Sequence, residues 1–199
     1  MNPWWIVAGG LALGAGAWAV AASSRKPTLG KGDRLWVIGD SLGVGLLPRL
    51  VKLGSAAGIE VGGNPKGGTM TFQWAKKFDL LDPILNAQAQ HVLVVLGTND
   101  AAGNSTYVHE QFAGYVDALA KRLTDESLQV TWLMPGTSPG LPQEKTDTVA
   151  DIILARSHAD GFAVLDTNEA PVQYVHADVH PTPAGYDTLA AWIMTRLTT

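Results

Sequence analysis

Residues Val92–Leu96 read V-L-V-V-L with no polar interruption, and the run stops at Gly97. A short, uniformly apolar run bounded by a breaker fits a central strand of a parallel sheet, covered on both faces. Four further stretches read as strands: Arg34–Ile38, Gly58–Val61, Gln129–Met134 and Phe162–Leu165. Helical patterning falls between and after them. It begins beyond Ser41 with Leu46 and Leu47, then covers Thr69–Lys77 and the face Leu80, Leu81, Ile84, Leu85. One longer helix is expected from Ser105 to Leu123, with Tyr107, Val108, Phe112, Tyr115, Val116 and Leu119 recurring at helical spacing. Thr146–Ser157 and Pro183–Leu197 complete the set, and glycine-rich Gly62–Met70 reads as a loop. Strands alternating with helices imply a small doubly wound α/β domain, a three-layer α/β/α sandwich with about five parallel strands in the flavodoxin-like manner.

Small polar residues follow the strands at once. Gly39-Asp40-Ser41 follows the first, Thr98-Asn99-Asp100 follows the Val92 run, and Asp178 and His180 precede the last helix. In open α/β sheets these positions share one edge, where ligands bind. A serine nucleophile needs a base within hydrogen-bond reach, an acceptor that orients the base, and donors aimed at the developing oxyanion. Ser41 fits the nucleophile, His180 the base, Asp178 the acceptor and Asn99 an amide donor. Gly67 and Gly68 offer unobstructed backbone N–H groups. Taken singly, each has a plainer reading: Ser41 as a helix cap, Asn99-Asp100 as a turn.

Together these blocks resemble the SGNH hydrolases, the GDSL esterases and lipases. Gly39-Asp40-Ser41-Leu42 is similar to the family's first block, Gly67-Gly68-Thr69 to its second, Gly97-Thr98-Asn99-Asp100 to its third and His180-Pro181-Thr182 to its last. The resemblance runs from about Arg34 to the C-terminus. It implies that Ser41 is the nucleophile and His180 the base, and that Ser41 N–H, Gly67 N–H and the Asn99 side chain form the oxyanion hole. It implies hydrolysis of esters, thioesters or sugar acetyl groups through an acyl-enzyme, without metal or cofactor. Asp40 and Asp100 would hold loops together. In one place the chain departs from the family, whose acid stands three residues before the base; here that residue is Ala177, and the carboxylate is Asp178. A different turn would have to absorb the shift, or a backbone carbonyl would orient His180.

Other patterns compete. Gly39-Asp40-Ser41-Leu42-Gly43 satisfies the G-x-S-x-G elbow of α/β-hydrolases, but the serine follows the first strand of its domain rather than a later central one. His176, Asp178 and His180 would line one face of an extended strand and suit a metal, but Pro181 and Pro183 break a regular strand there. The glycines after Arg34–Ile38 lack the full dinucleotide spacing, and no Walker A pattern is present.

Ahead of the domain, Trp4–Ala22 is 19 residues without a charge, long enough to span a bilayer. The expected organisation is a transmembrane anchor at 1–22, a breaker-rich linker at 23–32 and an SGNH-hydrolase-like domain at 33–199. Arg25 and Lys26 favour a cytoplasmic side for the domain C-terminal to them; a cleaved signal peptide, which would make the domain secreted, and a buried core helix are the rival readings. A net charge of −4 and no basic patch argue against nucleic acid. The absence of cysteine excludes thiolate nucleophiles and disulfides. The expected function is therefore a serine esterase acting on small acyl, first of all acetyl, esters of a small molecule or an envelope glycan. Lysophospholipid or thioester cleavage is the alternative, as is a catalytically inactive, membrane-tethered binding protein. Met70, Phe72 and Trp74 are candidates for the substrate pocket, and Pro135–Lys145 for a variable wall.

Overall fold

The computed structural model describes residues 28–76 and 82–199. The apolar stretch Trp4–Ala22, residues 23–27 of the linker, and Lys77, Leu80 and Leu81 lie outside them. Among the described residues no helix is long and apolar enough to cross a membrane.

Five strands form one parallel sheet: β1 (Arg34–Gly39), β2 (Glu60–Gly63), β3 (His91–Val95), β4 (Gln129–Met134) and β5 (Ala163–Asp166). Their spatial order is β2-β1-β3-β4-β5. This is the flavodoxin-like order, in which the chain turns from one side of the sheet to the other between β1 and β3 and opens a crevice at their C-terminal ends.

Alternate residues of each strand feed two cores. Leu35, Val37, Leu93, Val95, Leu133 and Leu165 pack under α1 (Ser41–Ala57) and α8 (Pro183–Thr198), against Leu46, Leu50, Leu189 and Ile193. On the other face Ile38, Val92, Val94 and Trp132 meet α2 (Thr71–Lys76) and α3 (Asp82–Asn86) through Trp74 and Ile84. The same face is covered by α6 (Ala113–Asp125) and α7 (Gln143–Asp160), through Val116, Leu119, Val149 and Ile153. β3 is buried along its whole length, as its uninterrupted apolar run requires.

Three local expectations need correction. β2 runs through Gly62 and Gly63, which the glycine content assigned to a loop. A side chain at Gly62 would fall on the Trp36 indole, 2.5 Å from Cζ3, and one at Gly63 would fall 2.6 Å from the Val37 carbonyl oxygen. These glycines let β2 close against β1, and the loop begins only at Asn64. The helix expected over Ser105–Leu123 is not continuous. It starts as α5 (Ser105–Tyr107), widens into a π-helical turn at Val108–Phe112 and resumes as α6. Asn99 and Asp100, which taken singly read as a turn or a cap, lie inside the short helix α4 (Thr98–Ala102).

Candidate active site

β1 ends against β3. Gly39 adopts φ +145°, and a Cβ there would collide with the Val95 backbone. The Asp40 N–H donates to Val95 O at 3.0 Å. Asp40 then caps α1, its Oδ1 accepting from Leu42 N at 2.9 Å. Ser41 is thereby the first residue of α1, at the crevice beside the end of β3.

The Asp40 carboxyl is almost wholly buried, at 1% exposure. Burial pushes its pKa up to about 7; the nearby Asp100 charge pushes the same way, against the Leu42 N–H bond. Its second oxygen accepts from Asn99 Nδ2 at 3.3 Å, and the same amide nitrogen donates to Thr69 O at 3.0 Å. Asp100, also buried, accepts from Thr71 N, from Thr71 Oγ1 at 2.9 Å and from the Tyr107 hydroxyl at 2.6 Å. Burial raises the Asp100 pKa and these hydrogen bonds oppose the rise. Tyr107 is raised as well, by burial and by the carboxylate it bonds. Both acids therefore tie loops together, as the sequence suggested.

His180 reaches the crevice from a hairpin before α8. Val175 N donates to His180 O, Thr182 N donates to Gln173 O, and Tyr174 pairs with Pro181. Thr182 caps α8 by accepting from Gly185 N at 3.0 Å. His180 Nε2 lies 2.9 Å from Ser41 Oγ, and His180 Nδ1 lies 2.8 Å from Asp178 Oδ1. Hydrogen bonds from the imidazole and then from the His180 N–H hold the Asp178 carboxyl below the usual carboxylate range. Ser41 and His180 are 139 positions apart in the chain, and only the folded sheet brings these side chains together.

The structure thus gathers four of the expected residues in one line: Asp178, His180, Ser41 and, through Asp40, Asn99. Gly67 is beside them, since a Cβ on it would stand 3.9 Å from Ser41 Cβ. The Lys66–Thr69 loop is fixed by Lys66 N and Thr69 Oγ1, which both donate to Gly39 O. Asn99 differs from expectation in one respect: its NH2 is engaged with Thr69 O and Asp40 rather than directed at open space. The extended H-x-D-x-H strand does not form. Ala177 turns with φ 55°, Asp178 serves His180, and His176 is exposed. Among the described residues no cluster of three metal-ligating side chains occurs.

Of the candidate pocket residues, Trp74 is fully buried core, with its Nε1 donating to Thr69 Oγ1. Met70 and Phe72 line an open groove. The Pro135–Lys145 loop packs against the segment that carries Asp178. Pro135, Gly136 and Ser138 enclose a cavity of about 20 Å³ together with Leu42, Thr98 and Val179. Its Gly140 lies so close to the Asp178–Val179 backbone that a Cβ would come within 2.6 Å. Thr69, Thr71 and Tyr107 were not singled out from the sequence; Tyr107 was visible there only as one position on an apolar helix face.

The family model of the GDSL-like lipase/acylhydrolase family matches residues 32–188. The chain belongs to this family. As a GDSL-like acylhydrolase it is an ester hydrolase by class. No curated protein matches the sequence. Among solved structures, a GDSL-like lipase from Bacteroides thetaiotaomicron is similar at 21% identity and TM-score 0.67, over 83% of this chain and 87% of that one. Axe2, an acetylxylan esterase from Geobacillus stearothermophilus, is similar at 18% identity and TM-score 0.71, over 86% and 97%. LAE5, an α/β hydrolase from the metagenome of Lake Arreo, Spain, is similar at 16% identity and TM-score 0.66, over 86% and 98%. At these identities the likeness is one of fold, and the GDSL-like acylhydrolase carries the SGNH hydrolase architecture.

Proposed function

We propose that this GDSL-like acylhydrolase is a serine esterase that removes small acyl groups, acetyl first, from carbohydrate esters. The observation that carries the reading is the Ser41–His180–Asp178 relay, with hydrogen-bond distances of 2.9 and 2.8 Å. His180 Nε2 accepts the Ser41 proton as Oγ attacks the ester carbonyl carbon. The resulting oxyanion is met by the N–H groups of Ser41 and Gly67 and by the Asn99 amide, which gives up its longer bond to Asp40. His180 then protonates the departing alcohol oxygen as its bond to the carbonyl carbon breaks. Water repeats the sequence on the acyl-enzyme, releasing the acid and restoring Ser41.

The acetylxylan esterase among the structural neighbours supports a small acyl group. The uncharged Trp4–Ala22 stretch supports tethering of the domain to a membrane. The pelleting of full-length protein with membranes after alkaline extraction checks that attachment.

A fluorophosphonate probe should label the wild type at Ser41. The Ser41→Ala protein should neither be labelled nor turn over a small activated acetyl ester, while melting at the wild-type temperature. Undiminished turnover by that variant would overturn the reading. A folded wild type that takes no label would favour an inactive binding protein.

A further inference from the structure

A groove of about 390 Å³ opens beside the crevice, between α2 and the π-helical turn at Val108–Phe112. That is within the range of sites that hold small ligands, and π turns recur at functional sites. Its floor is aromatic. The Tyr107 and Tyr115 rings stack with centroids 6.1 Å apart and an interplanar angle of 24°, and Phe72 stands 6.1 Å from Tyr115. Exposed Lys76 holds its ammonium 4.9 Å from the Tyr115 centroid and 6.0 Å from that of Phe72, a position that ring quadrupoles stabilise.

Among the described residues the polar lining offers donors and no carboxylate. Gln111 Oε1 is taken by the Tyr115 hydroxyl, and Asn104 Oδ1 by Tyr107 N, so each amide presents its NH2 to a ligand. Ring faces suit the C–H face of a pyranose. Amide donors suit its hydroxyl oxygens, and an ammonium with no acid paired to it among the described residues suits an anionic substituent. The groove is also within reach of the ester bond. Met70 lines it, three residues after Gly67, which is at most about 11 Å of chain. The hydroxyl of Tyr107 binds Asp100, the residue after Asn99.

We infer that this groove is a subsite for the sugar on the alcohol side of the substrate, and that it selects acidic glycans, whose carboxylate pairs with Lys76. The inference rests on the esterase reading for its place in catalysis, but not for the binding itself.

Three substrates separate the two: a small activated acetyl ester, an acetylated neutral xylo-oligosaccharide and an acetylated oligogalacturonate. Wild type should favour the acidic over the neutral oligosaccharide by about tenfold in kcat/KM. Lys76→Gln should erase that preference through KM, leaving turnover of the small ester and of the neutral glycan unchanged. No preference in the wild type, or an equal loss on all three substrates in Lys76→Gln, would overturn the proposal. If the wild type fails even on the small ester, the esterase reading falls. The groove is then judged by calorimetry with deacetylated oligogalacturonate on the Ser41→Ala protein. Binding that weakens about tenfold when Lys76→Gln is added supports the subsite; no binding, or binding indifferent to Lys76, removes it.

Discussion

Asp178 Oδ1 lies 2.8 Å from His180 Nδ1, although a single residue separates the two in the chain. The same oxygen accepts from Val179 N at 2.6 Å and from His180 N at 3.2 Å. The Asp178 carboxylate therefore forms an Asx-type turn with the His180 backbone while it holds the imidazole. Ala177, where the family's pattern has its acid, supplies the left-handed step that folds Asp178 back. The short spacing is thus accommodated by the hairpin, with no backbone carbonyl needed to take the place of the carboxylate.

Asp178→Asn should lower kcat on a small acetyl ester by roughly a thousandfold or more, with KM little changed, because an amide can hold the imidazole in the wrong tautomer. Steady-state kinetics at neutral pH check this. A loss below tenfold would show that the carboxylate does not orient His180. The lowered Asp178 pKa adds a sign: the stability this contact contributes is present above the ordinary carboxylate pKa and is lost as pH falls through the folded value.

Ala177→Gly should stabilise the protein by about 0.5–1 kcal/mol, since glycine takes φ near +55° without the steric cost an alanine carries. Ala177→Val should do the reverse. Thermal melts read both. Activity should stay near wild type in the glycine variant, because the Asp178 bonds depend on the turn and not on the methyl group.

The strands and the candidate site residues were legible because both rest on local signals. An apolar run such as Val92–Leu96 declares its burial by itself, and Ser41, Asn99 and His180 each stand directly beside a strand end or a helix start. What the sequence concealed depends on neighbours distant in the chain. Gly62 and Gly63 look like loop residues until Trp36 and Val37 occupy the space beside them. Tyr107 looks like one more apolar helix position until its hydroxyl meets Asp100. Spacing alone did not reveal whether Asp178 reaches His180, because the answer lies in one backbone angle at Ala177.

Gly39→Ala should cost more than about 3 kcal/mol, combining a strained φ with displacement of the Val95 backbone. The β1–β3 contact that places Ser41 would open, so activity should fall with stability. Urea denaturation measures the first and ester turnover the second. A variant that keeps wild-type stability would show that the crevice tolerates a looser β1 end.

Asp40 makes stability fall with rising pH, which is the opposite of what an ion-paired acid does. Its folded pKa of about 7 stands above the 3.8 of a free aspartate, with burial the main cause and the Asp100 charge adding to it. Between those values the folded state binds the proton that the unfolded state has released. Unfolding therefore becomes easier as pH rises from about 4 to 7, and the effect levels off above that. At about 1.4 kcal/mol per pH unit the full effect is of order 4 kcal/mol. Asp40→Asn keeps the cap on Leu42 but cannot titrate, and its NH2 cannot accept from Asn99, so near pH 4.5 it should be less stable than wild type by about 1 kcal/mol. By pH 8 the order should reverse, with the variant the more stable protein. Urea melts of both proteins at the two pH values measure the gap, and a gap that does not change with pH would mean that Asp40 is ionised in the folded state throughout.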